Sequence, residues 1–276
     1  MKNKTIGIIS IKGGVGKTSA VGALGASLAN DYGKKVLLVD ANFSAPNLGL
    51  QLGIYNPEVT LHHLLDDKSD LKGAIQETGY GFDVIPGAQI YKKLNPFKLG
   101  EKLREAKKKY DIILIDSSPN MNEEILATMI ASDELLVVTT PDHVTLSSTL
   151  HAIKLAKEKR TPITGIILNK VYNKKFEVRI EDIEALTGVN VLAVLPHELS
   201  VLQALSNSMP STMNKYSDTT KEYRKLAACL IGEKYSEGKL SKIKAIFGGW
   251  FDSIPKQEIN RTLFVDKART NPFYRQ

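Results

Sequence analysis

The sequence predicts an α/β fold in which a mostly parallel, twisted sheet carries helices on both faces. Three observations support this prediction. Short runs of Val, Ile and Leu alternate with longer stretches of helical pattern, which is typical of a parallel sheet covered by helices. The short runs are apolar almost throughout, as strands buried on both faces require. The composition, 42% apolar and 7% aromatic, suits the large core of such a fold.

Seven apolar runs are predicted strands, and four of the segments between them are clear predicted helices. The strands are expected at residues 5–11, 35–40, 82–86, 111–116, 134–140, 163–169 and 190–196. The helices are expected at residues 17–31, 98–109, 144–159 and 218–231. The texture of the sequence changes near Glu233. We therefore expect one α/β domain over residues 1–233 and a separate tail over residues 234–276.

Composition narrows the classes of function. The single cysteine, Cys229, leaves no pair for a disulfide, an iron–sulfur cluster or a structural zinc ion. The first apolar run is too short for a signal peptide or a membrane span, so we expect a cytoplasmic protein. The net charge is +7, and residues 233–276 contain nine Lys or Arg against five Asp or Glu. Such basic character suits an anionic membrane, nucleic acid or plain solubility.

A glycine-rich turn, SIKGGVGKTS, follows the first predicted strand and opens the first predicted helix. This context predicts a phosphate-binding loop, in which backbone N–H groups and the helix amino terminus surround phosphate oxygens. A lysine and a hydroxyl residue at its end are suited to the β- and γ-phosphates and to Mg²⁺, respectively. The pattern G-x-x-x-x-G-K-[ST] lacks its first glycine because Ile11 stands there. The candidate residues are Gly13, Gly14, Val15, Gly16, Lys17, Thr18 and Ser19.

A second lysine, Lys12, stands at the mouth of this turn. The resulting K-G-G-x-G-K-[ST] signature resembles that of the MinD/ParA family of ATPases with a deviant phosphate-binding loop, and MinD-like proteins in particular. The resemblance covers roughly residues 4–233. It implies a P-loop fold, binding of ATP and Mg²⁺, and a homodimer that encloses the nucleotide. It also implies that Lys12 reaches across that dimer to the ATP of the other subunit.

Further candidate residues follow later strands. Asp40 and Asp116 stand at the carboxyl ends of the second and fourth predicted strands, the edge at which open α/β sheets bind ligands. We expect Asp116 to reach Mg²⁺ through water and Asp40 to lie beside the same site. The segment that contains Asn169 resembles the family's adenine-side element, and Pro196 resembles the start of its closing turn. The resemblance implies that both residues line the base.

One position departs from the family pattern. The family commonly has Asp-x-Asp after the second strand, and its second aspartate helps to position the attacking water. This chain has Asp40, Ala41 and Asn42 there. Asparagine resembles aspartate in shape but carries no charge and cannot accept a proton, so it activates water poorly. We therefore expect ATP hydrolysis to be slow. The alternative is that Asp40, or a water held by the backbone, is sufficient for hydrolysis at an ordinary rate.

The tail contains an amphipathic pattern over residues 240–254. Its apolar stripe faces away from its lysines, as in helices that lie in a membrane interface, although two adjacent glycines interrupt it. A membrane surface, a partner groove or dimer contact, and docking on the protein's own core remain open. The residues after Ile254 are predicted to be irregular. The residues expected to touch a membrane or partner are Ile243, Ile246, Phe247, Trp250 and Phe251.

Together these features predict a nucleotide-controlled positioning switch at a membrane or another surface, with an activator or cargo protein as a further partner. MinD-like relatives act in cell division, and we expect the protein to lie peripherally at the inner face of the cell membrane when it is attached. One alternative is an ATP-locked dimeric scaffold that has lost hydrolysis. The other, less expected than a membrane role, is a ParA-like partition ATPase that binds DNA non-specifically. Sequence-specific reading of DNA is not expected, because no recognition helix is apparent.

Overall fold

The computed structural model describes residues 3–89, 94–214, 216–235 and 254–270. The described chain forms an eight-stranded sheet in the order β3-β4-β2-β5-β1-β6-β7-β8. Every neighbouring pair is parallel except β3 and β4. The strands are β1 (Lys4–Ile9), β2 (Val36–Ala41), β3 (Gln76–Glu77), β4 (Asp83–Ile85), β5 (Ile112–Ser117), β6 (Glu134–Thr139), β7 (Ile163–Val171) and β8 (Val191–Pro196).

Most α-helices lie between strands along the described chain, the last three follow the final strand, and together they cover both faces of the sheet. The predicted α/β class is therefore confirmed, and each of the seven predicted strands is present. The helices are α1 (Lys17–Asn30), α2 (Leu48–Gln51), α3 (Leu61–Leu65), α4 (Leu71–Ala74), α5 (Leu99–Lys102), α6 (Ala106–Lys109), α7 (Glu123–Ala131), α8 (His143–Glu158), α9 (Ile180–Thr187), α10 (Leu199–Ser206), α11 (Asp218–Leu230) and α12 (Lys256–Thr270).

The core is divided by the sheet, because neighbouring strand residues point to opposite faces. In β1, Ile6 and Ile8 pack in one apolar cluster with α1 and α11, whereas Ile9 packs in another with α7 and α8. In β2, Leu38 belongs to the first cluster and Val39 to a third, beside α3. Burial on both faces explains why residues 36–39 of β2 and residues 112–115 of β5 are all apolar before the aspartates near their carboxyl ends.

The central strands bring the candidate residues to one edge. Parallel strands end on the same side of the sheet, and β2, β5 and β1 are neighbours there. Asp40 in β2 and Asp116 in β5 are direct partners in the strand register, and Ile8 of β1 pairs with Asp116 from the other side. The turn between β1 and α1 therefore stands beside both carboxylates.

Two predicted segments differ from the structure. The predicted helix over residues 98–109 is two short helices, α5 and α6, with residues 103–105 between them. The prediction that the residues after Ile254 are irregular is wrong, because residues 256–270 form α12. Pro255 immediately precedes this helix. Proline is tolerated there because the backbone N–H that it lacks would have no acceptor within the helix.

Helix α12 packs against α11 and the edge strand β8 through polar side chains. The side chain of Asn260 donates to the carbonyl of Val191 over 2.8 Å. The Arg261 guanidinium donates through Nη1 to the carbonyl of Leu192 over 2.7 Å and to Glu222 Oε2 over 2.9 Å. Because Asn260 and Arg261 are buried, these bonds hold the helix to the domain.

The predicted amphipathic segment, residues 240–254, lies outside the described residues except for Ile254. Its stripe residues Ile243, Ile246, Phe247, Trp250 and Phe251 therefore remain predictions. The described chain stops at Tyr235 after α11 and starts again at Ile254 before α12. None of the described helices is long and apolar enough to cross a membrane.

Candidate functional site

The glycine turn between β1 and α1 has the backbone of a phosphate-binding loop. Gly14 and Gly16 have φ angles of 76° and 93°, a left-handed conformation that glycine adopts readily and other residues rarely. Gly16 precedes α1 without a side-chain cap, and the first turn of the helix has no acidic residue. The first N–H groups of α1 therefore have no intrahelical acceptor and can bind an anion.

Lys17, Thr18 and Asp116 form one buried polar group beneath this turn. Lys17 Nζ lies 2.8 Å from Asp116 Oδ1 and also donates to the carbonyl of Ser117. Thr18 Oγ1 donates to Asp116 Oδ2 over 2.6 Å. Both carboxylate oxygens of Asp116 are thus fixed by residues of the loop. The structure thus brings these three candidate residues together.

Asp40 lies on the neighbouring strand and is fully buried. Its two oxygens accept hydrogen bonds from the backbone N–H groups of Leu48, over 2.9 Å, and Asn42, over 3.3 Å. Burial, followed by the negative charge of Asp116, raises the pKa of Asp40 to about 8. A cation beside the two carboxylates would favour the ionised form of Asp40.

Asn42 and Asn47 follow β2 and line the cleft above Asp40. Asn42 Nδ2 donates to the carbonyl of Ala45 over 2.5 Å. The Oδ1 atoms of Asn42 and Asn47 are buried and have no hydrogen-bond partner among the described residues. Buried oxygens of this kind ordinarily accept a hydrogen bond, so each is an unused acceptor beside the cleft.

Lys12 contacts the amino-terminal end of α8. Its ammonium donates to Thr145 Oγ1 over 2.9 Å and lies 3.8 Å from Asp142 Oδ1. Asp142 caps the helix by accepting from the Thr145 N–H group. Partial burial alone would raise the pKa of Asp142, but hydrogen bonds from Thr140 and Thr145 and the charge of Lys12 outweigh it and hold the pKa at about 2.

Sequence reasoning missed Asp142 and Thr145 as partners of Lys12. A signal was present, because TPDHVT combines the end of an apolar strand with an aspartate at a helix start, the usual composition of an N-cap. That the cap would lie beside the glycine turn follows only from the strand order, in which β6 neighbours β1.

The base-side candidates lie at the ends of β7 and β8. Asn169 Nδ2 donates to the carbonyl of Val15 in the glycine turn over 2.8 Å, and Pro196 ends β8 at the cleft wall. The cleft has a volume of about 300 Å³. The cleft is also lined by residues that were not among the predicted site residues, which are Gln51, Pro119, Lys170, His197, Glu198, Val201, Leu202 and Leu205.

Two family models match the chain. A model described as an AAA domain matches residues 3–164, and one described as a NUBPL iron-transfer P-loop NTPase matches residues 103–231. An uncharacterized ATP-binding protein of Methanocaldococcus jannaschii is 35% identical over 246 residues, which cover 88% of this chain and 92% of that protein.

Solved structures of MinD proteins are similar over most of the chain. The cell division ATPase MinD of Pyrococcus furiosus matches with a TM-score of 0.77 and 32% identity, covering 82% of this chain and 97% of that one. The septum site-determining protein MinD of Pyrococcus horikoshii, complexed with Mg-ADP, matches with a TM-score of 0.78 and 30% identity, covering 88% and 98%. With these matches added to the signature turn, the chain belongs to the ParA/MinD family of P-loop NTPases.

Proposed function

We propose that the chain binds Mg²⁺-ATP in this cleft, dimerises around it, hydrolyses it slowly and acts as a nucleotide-controlled positioning switch at a membrane or another surface. The observation that carries the proposal is the buried group of Lys17, Thr18 and Asp116 beneath a left-handed glycine turn. This group combines a cation for phosphate with oxygen atoms for a metal ion. Membership of a family of P-loop ATPases supports the same activity.

The residues present fit a magnesium ion that is shared with nucleotide phosphates. Thr18, Asp40 and Asp116 offer hydroxyl and carboxylate oxygens, the ligand type that Mg²⁺ prefers. The part of the chain that the structure describes holds no group of three or more His, Cys, Asp and Glu residues suited to a metal ion. Two carboxylates and a hydroxyl suit Mg²⁺, which typically keeps several waters and binds through phosphates as well. When bound, the ion would neutralise charge on the phosphates.

The chain's own residues divide the remaining work. Lys17 would leave Asp116 for the β- and γ-phosphates, with the first N–H groups of α1 on the same oxygens. The orphan Oδ1 of Asn42 can accept a hydrogen bond from a water, but it cannot take the proton that the water loses. Slow hydrolysis follows if this position orients the attacking water.

The contacts of Lys12 support dimerisation around the nucleotide. Its ammonium contacts Thr145 and Asp142, and the side chains of Lys12 and Asp142 are 41% and 49% exposed. An exposed ion pair at 3.8 Å contributes about 0–1 kcal/mol, so a phosphate presented by a second subunit can replace it. This exchange would place Lys12 at the partner's ATP.

The switch would act at the cell membrane. The predicted amphipathic segment favours peripheral attachment to the cell membrane, and similar MinD proteins are named for cell division and septum placement. An activator or cargo protein would then respond to the ATP-bound dimer. One alternative is non-specific DNA binding through the exposed lysines of α8. The other is an ATP-locked scaffold that does not hydrolyse ATP.

Equilibrium binding tests the nucleotide site. Mg²⁺-ATP should bind the unchanged protein, and Lys17→Gln should weaken binding at least about tenfold because one charge-assisted contact to phosphate is lost. Lys157→Gln, which removes an equal charge from the exposed face of α8, should bind as the unchanged protein does. Equal affinity of the unchanged protein and Lys17→Gln would refute the site.

Two assays distinguish a membrane from DNA as the surface to which the ATP-bound protein attaches. Liposomes of anionic lipid should retain the ATP-bound protein and lose it on Trp250→Asp if the membrane proposal is right. Salt-sensitive co-sedimentation with DNA in the presence of ATP, unaffected by Trp250→Asp, would instead favour the partition ATPase.

A further inference from the structure

The end of β7 contains a residue in a rare conformation directly beside the glycine turn. Lys170 has a φ angle of 57°, in the left-handed region that residues with a side chain seldom adopt. The register of β7 against β8 shifts at the same place, between Leu168 and Val171. In a regular strand, Asn169 and Lys170 would point to opposite faces. The left-handed residue breaks this alternation, and both side chains reach the same loop.

Each of the two side chains holds one carbonyl of the glycine turn. Lys170 Nζ donates to the carbonyl of Gly14 over 2.7 Å, and Asn169 Nδ2 donates to the carbonyl of Val15 over 2.8 Å. The amide of Asn169 is itself fixed, because its Oδ1 accepts from the Lys170 N–H group over 2.9 Å. Hydrogen bonds from β7 therefore hold two consecutive peptide groups of the turn.

These two hydrogen bonds determine where the N–H groups of the same peptides point. In a planar trans peptide, the carbonyl of one residue and the N–H of the next point in opposite directions. With the Gly14 and Val15 carbonyls turned toward β7, the N–H groups of Val15 and Gly16 point away from it. Neither N–H has a hydrogen-bond partner among the described residues, and Val15 and Gly16 both line the cleft.

The fit between Asn169 and the turn depends on a glycine. A Cβ atom at Gly16 would lie 2.2 Å from Asn169 Nδ2, far inside van der Waals contact. The amide of Asn169 thus packs directly on the turn. One of its two N–H groups is used on Val15, and the other is left for a base edge, so this role is compatible with adenine contact.

We infer that Asn169 and Lys170 are positioning residues that hold the glycine turn with its N–H donors directed at the phosphates. This inference rests on the proposed function, because the oriented donors need a phosphate ligand. It assigns to Lys170 a role in phosphate binding through the backbone of the loop. The gain is preorganisation, since the loop does not have to turn its peptides when the ligand arrives.

Calorimetric titration of Mg²⁺-ADP and of inorganic pyrophosphate tests the inference. Lys170→Met should weaken both ligands about five- to tenfold, the effect of one lost hydrogen bond from a charged donor at an exposed site, where solvent reduces its contribution. Lys174→Met removes the same charge from an exposed position four residues away and should stay within about twofold. Lys170→Arg keeps a charged donor and should recover most of the affinity.

A second variant separates positioning from general destabilisation. Lys170→Gly removes the donor but relieves the left-handed conformation, so its melting temperature without ligand should equal or exceed that of the unchanged protein while its ADP affinity falls. Affinity within twofold of the unchanged protein in both Lys170→Met and Lys170→Gly would overturn the inference, as would an equal loss in Lys174→Met. Failure of the unchanged protein to bind ADP would instead refute the proposed function.

Discussion

Arg261 in α12 provides a strong test of how the carboxyl-terminal helix is held. The side chain is only 5% exposed, and Nη1 donates to the Leu192 carbonyl and to Glu222. Nη2 lies 2.8 Å from Glu258 without hydrogen-bond geometry. Hydrogen bonds of a charged group contribute about 1.5 kcal/mol or more each, and breaking a buried ion pair costs about 3–5 kcal/mol. We therefore expect Arg261→Met to lower the free energy of unfolding by about 3 kcal/mol.

Urea unfolding of the full chain, followed by circular dichroism, measures this loss. The melting temperature should fall by about 6–12 °C for a chain of this size. Arg269→Met removes an exposed guanidinium from the end of the same helix, where it donates to the Gly232 carbonyl over 3.2 Å, and should cost less than about 1 kcal/mol. Equal unfolding free energies for Arg261→Met and the unchanged protein would refute the docking of α12.

Three further perturbations address His62 in α3, the glycine turn, and the ion pair of Lys12 with Asp142. Burial lowers the pKa of His62, so the folded protein resists a proton that the unfolded chain accepts, and stability should fall as the pH drops below about 6.5. His62→Gln keeps a donor and an acceptor and should flatten that slope in thermal melts, whereas exposed His151→Gln should leave it unchanged. Gly16→Ala forces a 2.2 Å contact at a left-handed position and should weaken Mg²⁺-ADP binding more than about tenfold; Gly79→Ala, which meets nothing within 4 Å, serves as its control, and equal binding by both would contradict the loop geometry. Asp142→Asn removes the exposed ion pair of Lys12 and should tighten the ATP-bound dimer about two- to fivefold, measured by analytical ultracentrifugation. A weaker dimer would contradict the role of Lys12 at the partner's ATP.

The sheet and the centre of the site could be predicted because local signals coincide there. Apolar runs identified the seven main strands to within about two residues. The rule that strand ends share one edge of a parallel sheet brought Asp40 and Asp116 to the glycine turn. The two-residue strand β3, Gln76–Glu77, has no apolar run and was not predicted.

The missed elements depend on polar contacts between distant parts of the chain. Helix α12 buries Asn260, Arg261 and Val265, so it has no apolar stripe that periodicity could detect. The hydrogen bonds from β7 to the glycine turn depend on the left-handed conformation of Lys170, which a lysine in the sequence does not predict. The contacts of Lys12 with the cap of α8 likewise follow from the order of the strands and not from any local pattern.

Size-exclusion chromatography combined with steady-state ATP turnover, for the unchanged protein and Asn42→Asp, tests whether the protein is a nucleotide-controlled switch. We expect Mg²⁺-ATP to convert both proteins from monomer to dimer. We expect turnover to be slow in the unchanged protein and at least about tenfold faster in Asn42→Asp, which restores a proton acceptor. Equal turnover with intact dimers would remove only the role given to Asn42. Absence of any ATP-dependent dimer in either protein would contradict the nucleotide-controlled switch itself.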